Sequence, residues 1–226
     1  MALKLVMMPP QHEFTYDWAA RVSDTVPEIR VVLPESEDQA RLELPEADAA
    51  FGTVPANLLK IANKLRWIQA PAAAPPAGYY YDALIEHPVE ITNFREIYND
   101  HISTQIMAYV LMFARGMDRY FPQQLRREYR SATLDTGVVH LPDSTAVIIG
   151  VGGIGAETAR HCSHFGMRVI GIDARREKAP EGVTELHTSS ELDHILPQAD
   201  FVIMTIPHTP QTERLMNAEK FSLMKK

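Results

Sequence analysis

Over the first hundred residues, short apolar runs alternate with longer stretches whose apolar positions recur at helical spacing. Residues 3–7 form a β-compatible run. Residues 12–22 follow with Phe14, Trp18 and Val22 at i, i+4 and i+8, which predicts a helix with those three on its inner face. The alternation repeats, with strands over 29–33, 49–51, 67–69 and 89–93 and helices over 37–44, 56–65 and 79–85. Five short strands separated by four single helices imply βαβ crossovers, which lay the strands parallel with helices over the sheet. Residues 1–98 are therefore expected to form one small doubly wound α/β domain.

A different pattern begins at residue 101. Residues 101–120 read as one long helix, with Ile102, Ile106, Tyr109, Phe113 and Met117 on one stripe and Met107, Val110, Leu111 and Ala114 on another. A helix apolar on nearly every side is expected to be buried on every side, between two domains or between two subunits. Residues 121–141 show no clear period, end at Pro142 and read as a connector laid over a surface.

The chain then carries its most specific signal. Residues 145–149 predict a strand, followed by Gly150-Val151-Gly152-Gly153-Ile154-Gly155 and a helical stretch through Phe165. This is G-x-G-x-x-G in the strand-to-helix context that dinucleotide binding requires. Gly150 permits the tight turn, Gly152 lets the main chain approach a pyrophosphate, and Gly155 lets the helix pack close to the strand. The free N–H groups at the helix N-terminus face the phosphates. Ala156, Ala159 and Cys162 continue the packing face. A second strand, 168–172, ends at Asp173, 18 residues beyond Gly155, placed to accept hydrogen bonds from the adenosine ribose hydroxyls. That carboxylate favours NAD, because it repels the 2′-phosphate of NADP; Arg175 and Arg176, just past the strand, keep NADP open. A third strand over 183–186, a short helix over 191–196 and a fourth strand over 201–206 follow. The turn Pro207-His208-Thr209-Pro210-Gln211-Thr212 then falls at the carboxyl end of the fourth strand. It is expected near the dinucleotide, with Thr212 as a hydrogen-bonding partner.

Composition narrows the classes. The 226 residues are 46% apolar and 23% charged, a soluble globular balance with room for one large domain or two modest ones. A formal net charge of −7 argues against a nucleic-acid partner, which needs clustered cations. The cluster Arg126, Arg127 and Arg130 is offset by Glu128 and reads as a solvated face. The single cysteine, Cys162, makes no internal disulfide, so a reducing cytoplasm is the expected setting. Residues 1–8 lack the form of a signal peptide, and no run reaches the ~20 apolar residues of a membrane span. No metal site is expected.

Residues 145–155, 165–173 and 199–212, continued by 213–225, resemble the D-isomer-specific 2-hydroxyacid dehydrogenases. The resemblance implies two α/β domains, each with a doubly wound parallel sheet: a flavodoxin-like substrate domain over residues 1–98 and a Rossmann-like NAD-binding domain over 99–226. It implies a cleft between them, and a homodimer through the nucleotide domains, which would employ the 102–117 helix. The implied activity is hydride transfer between NAD(H) and a small 2-hydroxy or 2-keto acid. It adds Gly153, Ile154, Ile206, Pro207 and Thr212 to Gly150, Gly152, Gly155 and Asp173 as cofactor contacts.

The chain also departs from that family. The family's catalytic arginine, acidic residue and acid/base histidine fall beyond Lys226, so no catalytic residue is expected within these residues. The chain is read as part of a longer protein, inactive alone, with its NAD-binding domain stopping after a fourth strand that leaves an apolar edge. His208 reads as a loop residue. The segment Ala70-Pro71-Ala72-Ala73-Ala74-Pro75-Pro76 stands where the family has a glycine-containing loop that receives the substrate carboxylate. Pro71, Pro75 and Pro76 have no N–H to give, which leaves Ala72, Ala73 and Ala74 as donors. Glu96 stands where glycine is common, and Thr104 where glutamate is common. Phe94, Tyr98 and the alanine-proline loop suggest an apolar lining for the substrate. The alternative to an enzyme is a non-catalytic dinucleotide-binding or sensing protein, since residues 150–173 suffice for binding.

Overall fold

The computed structural model describes residues 3–130 and 137–225, so residues 131–136 of the expected connector lie outside the described residues. The chain divides into two compact units, Met1–Arg95 and Glu96–Lys226.

In the first unit β1 (Leu3–Met7), α1 (Glu13–Thr25), β2 (Ile29–Val32), α2 (Glu37–Glu43), β3 (Ala49–Phe51), α3 (Ala56–Leu59), β4 (Trp67–Gln69), α4 (Asp82–Ile85) and β5 (Glu90–Thr92) alternate. The strands are all parallel, in the order β2-β1-β3-β4-β5, the flavodoxin-like arrangement. Because side chains alternate across a strand, Val6, Ala50 and Ile68 point to one face, where they join Leu44, Leu58 and Leu65 in a single core.

Three helices differ from their expected form. In α1 the inner residues are Thr15 and Ala19, whereas Phe14 and Trp18 are 50% and 37% exposed. The small side chains let the helix lie close to the sheet and turn the large ones toward its rim. The expected helix over 56–65 stops at Leu59, and the chain continues through i→i+3 bonds from Ile61 to Leu58 and from Ala62 to Leu59. These tightened turns still bring Ala62 and Leu65 into the core, which is why the sequence keeps a helical period there. The expected helix over 79–85 begins only at Asp82, because the tyrosines before it are anchors: Tyr79 Oη donates to the Gly52 carbonyl (3.1 Å) and Tyr81 Oη to that of Val54 (2.7 Å).

The second unit contains α5 (Asn99–Ala114), α6 (Met117–Leu125), β6 (Thr145–Ile149), α7 (Gly153–His164), β7 (Arg168–Ile172), β8 (Glu185–His187), α8 (Leu192–Ile195), β9 (Phe201–Met204) and α9 (Ala218–Leu223). Its strands are parallel in the order β8-β7-β6-β9. Strand β6 is buried at every position: Ala146 and Ile148 face one apolar cluster with Met107, Ala159 and Cys162, and Val147 and Ile149 face another with Ile172, Leu192 and Leu196. That double burial is characteristic of parallel sheets covered on both sides.

The single long helix expected over 101–120 is two helices. Gly116 takes φ +64°, the left-handed conformation that ends helices, and α6 starts anew at Met117. Helix α6 runs into the stretch expected to be an aperiodic connector: Met117, Tyr120, Phe121 and Leu125 recur at helical spacing across the boundary drawn at residue 120, although none of its residues is buried. Nor is α5 buried all round. Met107, Val110 and Ala114 are buried, but Tyr109 and Phe113 on the other stripe are each 54% exposed. At the C-terminal side α9 spans Ala218–Leu223 and is capped by Asn217 Oδ1, which accepts from the Lys220 N–H. Among the described residues no helix is long and apolar enough to cross a membrane.

Candidate functional site

The turn between β6 and α7 lies at the switch in strand order of the second sheet, between β6 and β9, the place where open parallel sheets bind ligands. Gly150 takes φ +89°, which only glycine adopts freely, and its N–H donates to the Ile172 carbonyl at 2.7 Å. A Cβ on Gly155 would lie 1.9 Å from the Gly150 carbonyl oxygen, so the first turn of α7 rests directly on the loop. Gly152 is the reverse case: an added Cβ would meet no atom within 4 Å, and its main chain is open. A Cβ on Gly153 would fall 2.6 Å from Asn99 Nδ2. This glycine therefore makes room for a side-chain amide of α5 beside the N-terminus of α7.

Asp173, just after β7, holds this loop as well as facing its surroundings. Its Oδ2 accepts from the Val151 N–H at 3.0 Å, and its Oδ1 accepts from the N–H groups of Arg175 (2.9 Å) and Arg176 (3.0 Å). Burial pushes its carboxyl up, but the three backbone donors, aided by the Arg176 charge, outweigh that and hold it below the usual carboxylate range. The carboxylate is ionised and still half-exposed.

Two residues that sequence reasoning did not single out complete the loop. Thr205 Oγ1 donates to the Gly150 carbonyl at 2.5 Å, and its backbone N–H donates to that of Ile149 at 2.9 Å. Asn99 is the other. A polar residue immediately after the fourth strand was the available signal for Thr205; Asn99 had none, because its proximity to Gly153 arises from helix packing.

Among the remaining candidates, Ile206 lies beside Gly150, its Cγ2 2.6 Å from where a Gly150 Cβ would be. Thr212 Oγ1 donates to the Pro207 carbonyl (2.7 Å) and accepts from the Thr209 N–H (2.8 Å), so it shapes the turn that carries Pro207. His208 is exposed and paired with Glu213. Ile154 is half-buried in the first turn of α7. Ala72, Ala73 and Ala74 lie in the other unit, on the loop after β4, with Ala73 and Ala74 exposed. Asn93 Nδ2 donates to the Ala73 carbonyl at 3.2 Å and ties that loop to the exit of β5. Among the described residues, no group of three or more His, Cys, Asp or Glu could hold a metal ion.

The open backbone at Gly152, the free N–H groups at the head of α7 and the ionised Asp173 fit a dinucleotide, with its pyrophosphate over the turn and a ribose at the acid. Comparison with known proteins gives the family. Residues 107–226 match the family model described as D-isomer specific 2-hydroxyacid dehydrogenase, NAD binding domain. The chain is 23% identical over 228 residues to the D-3-phosphoglycerate dehydrogenase of Methanocaldococcus jannaschii, a match covering 99% of this chain and 42% of that protein. It is 28% identical over 211 residues to glyoxylate/hydroxypyruvate reductase B of Escherichia coli O1:K1 / APEC, covering 89% and 63%. It thus spans less than two thirds of either curated relative. A solved structure of a D-isomer specific 2-hydroxyacid dehydrogenase family protein from Aeromonas salmonicida superposes with a TM-score of 0.80 at 28% identity, covering 100% of this chain and 70% of that one.

Proposed function

Because the chain belongs to the D-isomer specific 2-hydroxyacid dehydrogenase family, we propose that it serves hydride transfer between NAD(H) and a small 2-hydroxy or 2-keto acid. The observation that carries this reading is the turn Gly150–Gly155 docked against Asp173 through Val151. In it the second unit, Glu96–Lys226, is the NAD-binding domain and the first is the substrate domain. Gly152, Gly153, Ile154 and Gly155 offer main-chain N–H groups to the pyrophosphate, and Asp173 takes the ribose hydroxyls. Ile206, Pro207 and Thr212 border the same ligand. The bound nicotinamide supplies the hydride acceptor or donor. Ala72, Ala73 and Ala74 offer N–H groups to the substrate carboxylate.

Asp173 sets NAD above NADP, since an ionised carboxylate repels a 2′-phosphate. Arg175 and Arg176 spend their backbone N–H groups on Asp173, while their guanidinium groups keep some affinity for the phosphorylated coenzyme. Calorimetric titration with NADH and NADPH tests the reading: NADH is expected to bind more tightly, and the absence of heat with either at millimolar concentration overturns it. Absorbance at 340 nm with glyoxylate and hydroxypyruvate tests the activity; binding of NADH without turnover by the full-length protein would leave a dinucleotide-binding protein instead.

A homodimer belongs to the same proposal. Its support is the stripe Ile102, Tyr109, Phe113 and Met117 on α5 and at the start of α6, which leaves large apolar side chains in water, a mark of an interaction surface. A cytoplasmic setting is supported by the single cysteine, buried as a free thiol.

A further inference from the structure

At the carboxyl edge of the first sheet the aromatic side chains form a row. The rings of Phe14 and Trp18 are 4.9 Å apart, those of Trp18 and Phe51 5.7 Å, and those of Phe51 and Phe94 6.2 Å, with His12 stacked on Phe14 at 5.1 Å. None of these residues belongs to the buried core of the unit, and Phe14 and Trp18 are exposed. Burying a ring is the usual reason to place one, yet Phe14 and Trp18 stay exposed and Phe51 and Phe94 are only half-buried.

Their place in the topology is specific. Phe51 ends β3, next to β1, where the strand order of the first sheet reverses; that switch point is where open sheets receive ligands. Gln69 pairs in register with Phe51 on one side and with Thr92 on the other, so the Phe51–Phe94 contact spans the end of β4. The loop bearing Ala72, Ala73 and Ala74 leaves from that same strand end, and Asn93, the neighbour of Phe94, binds the Ala73 carbonyl. The rings thus begin beside the loop that would take a carboxylate and lead away from it toward α1.

We infer that this row is the side-chain subsite of the substrate, and that the 2-hydroxy or 2-keto acid taken by this chain carries an aryl group. The inference rests on the proposed role of Ala72–Ala74. A ligand ring fits such a row because aromatic pairs favour tilted and edge-to-face contacts at centroid separations of roughly 4.5–7 Å, the arrangement these side chains already hold among themselves. A one- or two-carbon substituent would leave the row in water.

Calorimetry on the 226-residue chain with D-3-phenyllactate and with D-lactate reads the subsite directly. D-3-phenyllactate is expected to bind about tenfold or more tightly, and Phe51→Ala or Trp18→Ala to bring its affinity down to that of D-lactate. Equal affinities in the unsubstituted chain, or a preference that survives both substitutions, overturns the subsite. If neither acid binds while NADH does, the role of Ala72–Ala74 is wrong and the subsite falls with it; if NADH also fails to bind, the dehydrogenase reading itself is overturned. The ratio for the unsubstituted chain requires no variant to fold. Trp18 and Trp67 are the two tryptophans, so Trp67→Phe isolates a second readout: Trp18 emission should change with D-3-phenyllactate and not with D-lactate, and an unchanged emission overturns the assignment.

Discussion

The Asp173 carboxylate accepts a 3.0 Å hydrogen bond from the Val151 N–H, 22 residues earlier in the chain. One acid therefore fixes the loop that would face the pyrophosphate, and in the proposed complex its remaining lone pair, on Oδ2, would be open to a ribose hydroxyl. Val151 is fully buried, so removing the acceptor strands a buried N–H, which costs about 1–3 kcal/mol. Asp173→Ala is expected to lower the unfolding temperature and to weaken NADH binding by about 1.5–3 kcal/mol, roughly ten- to a hundredfold, while narrowing the gap to NADPH. Asp173→Asn, which keeps an acceptor for Val151, should recover most of the thermal stability but not the NADH affinity. Calorimetry and thermal unfolding of the two variants separate the roles; equal NADH affinity in Asp173→Ala would remove the acid from the site.

Gly152 and Gly155 should separate binding from folding. A Cβ at position 155 meets the Gly150 carbonyl at 1.9 Å, and backbone on both sides cannot yield, so Gly155→Ala is expected to destabilise by about 3 kcal/mol or more. At position 152 the Cβ meets nothing. Gly152→Ala should unfold at the parent temperature yet bind NADH at least about tenfold more weakly, because the methyl occupies the approach to the phosphates. Circular dichroism melting with a parallel NADH titration checks both.

Stability should fall on the alkaline side. Burial pushes the Cys162 thiol up to about 11 and the Tyr79 phenol up to about 12. In the unfolded chain these groups ionise near their ordinary values, so the native state retains protons that the unfolded state releases. Their contribution is complete below those ordinary values and is lost as pH rises through about 11 and 12. Urea midpoints measured between pH 8 and pH 11 should decline, and the native thiol should resist Ellman's reagent at pH 9 until urea is added. Rapid labelling of the folded protein would contradict the burial of Cys162 beside Met107, whose Sδ is 3.6 Å from its Sγ.

The outer stripe of α5 predicts an association that one charge can undo. Phe113 is 54% exposed, so Phe113→Asp removes little from the chain's own core. Sedimentation should register a dimer for the parent and a monomer for Phe113→Asp, with unchanged NADH affinity. A parent that sediments as a monomer at all concentrations would remove the stripe from any interface.

Much of this protein was legible before folding was considered. Parallel strands separated by helices announce themselves because a strand buried on both faces is an uninterrupted apolar run, as in residues 145–149. The glycine turn is legible because the φ of Gly150 and the close approach at Gly155 exclude a side chain at those two positions. Local signals also misled where one pattern serves two structures: the period over 56–65 belongs to tightened turns as readily as to a helix, and Gly116 ends α5 inside a stretch whose hydrophobicity runs on. The inward turn of Thr15 and Ala19 in place of Phe14 and Trp18, by contrast, was decided by tertiary packing, as was the meeting of Asn99 with Gly153. The reason is physical: spacing along the chain determines which residues share a face, but which face is buried depends on what the rest of the chain lays against it.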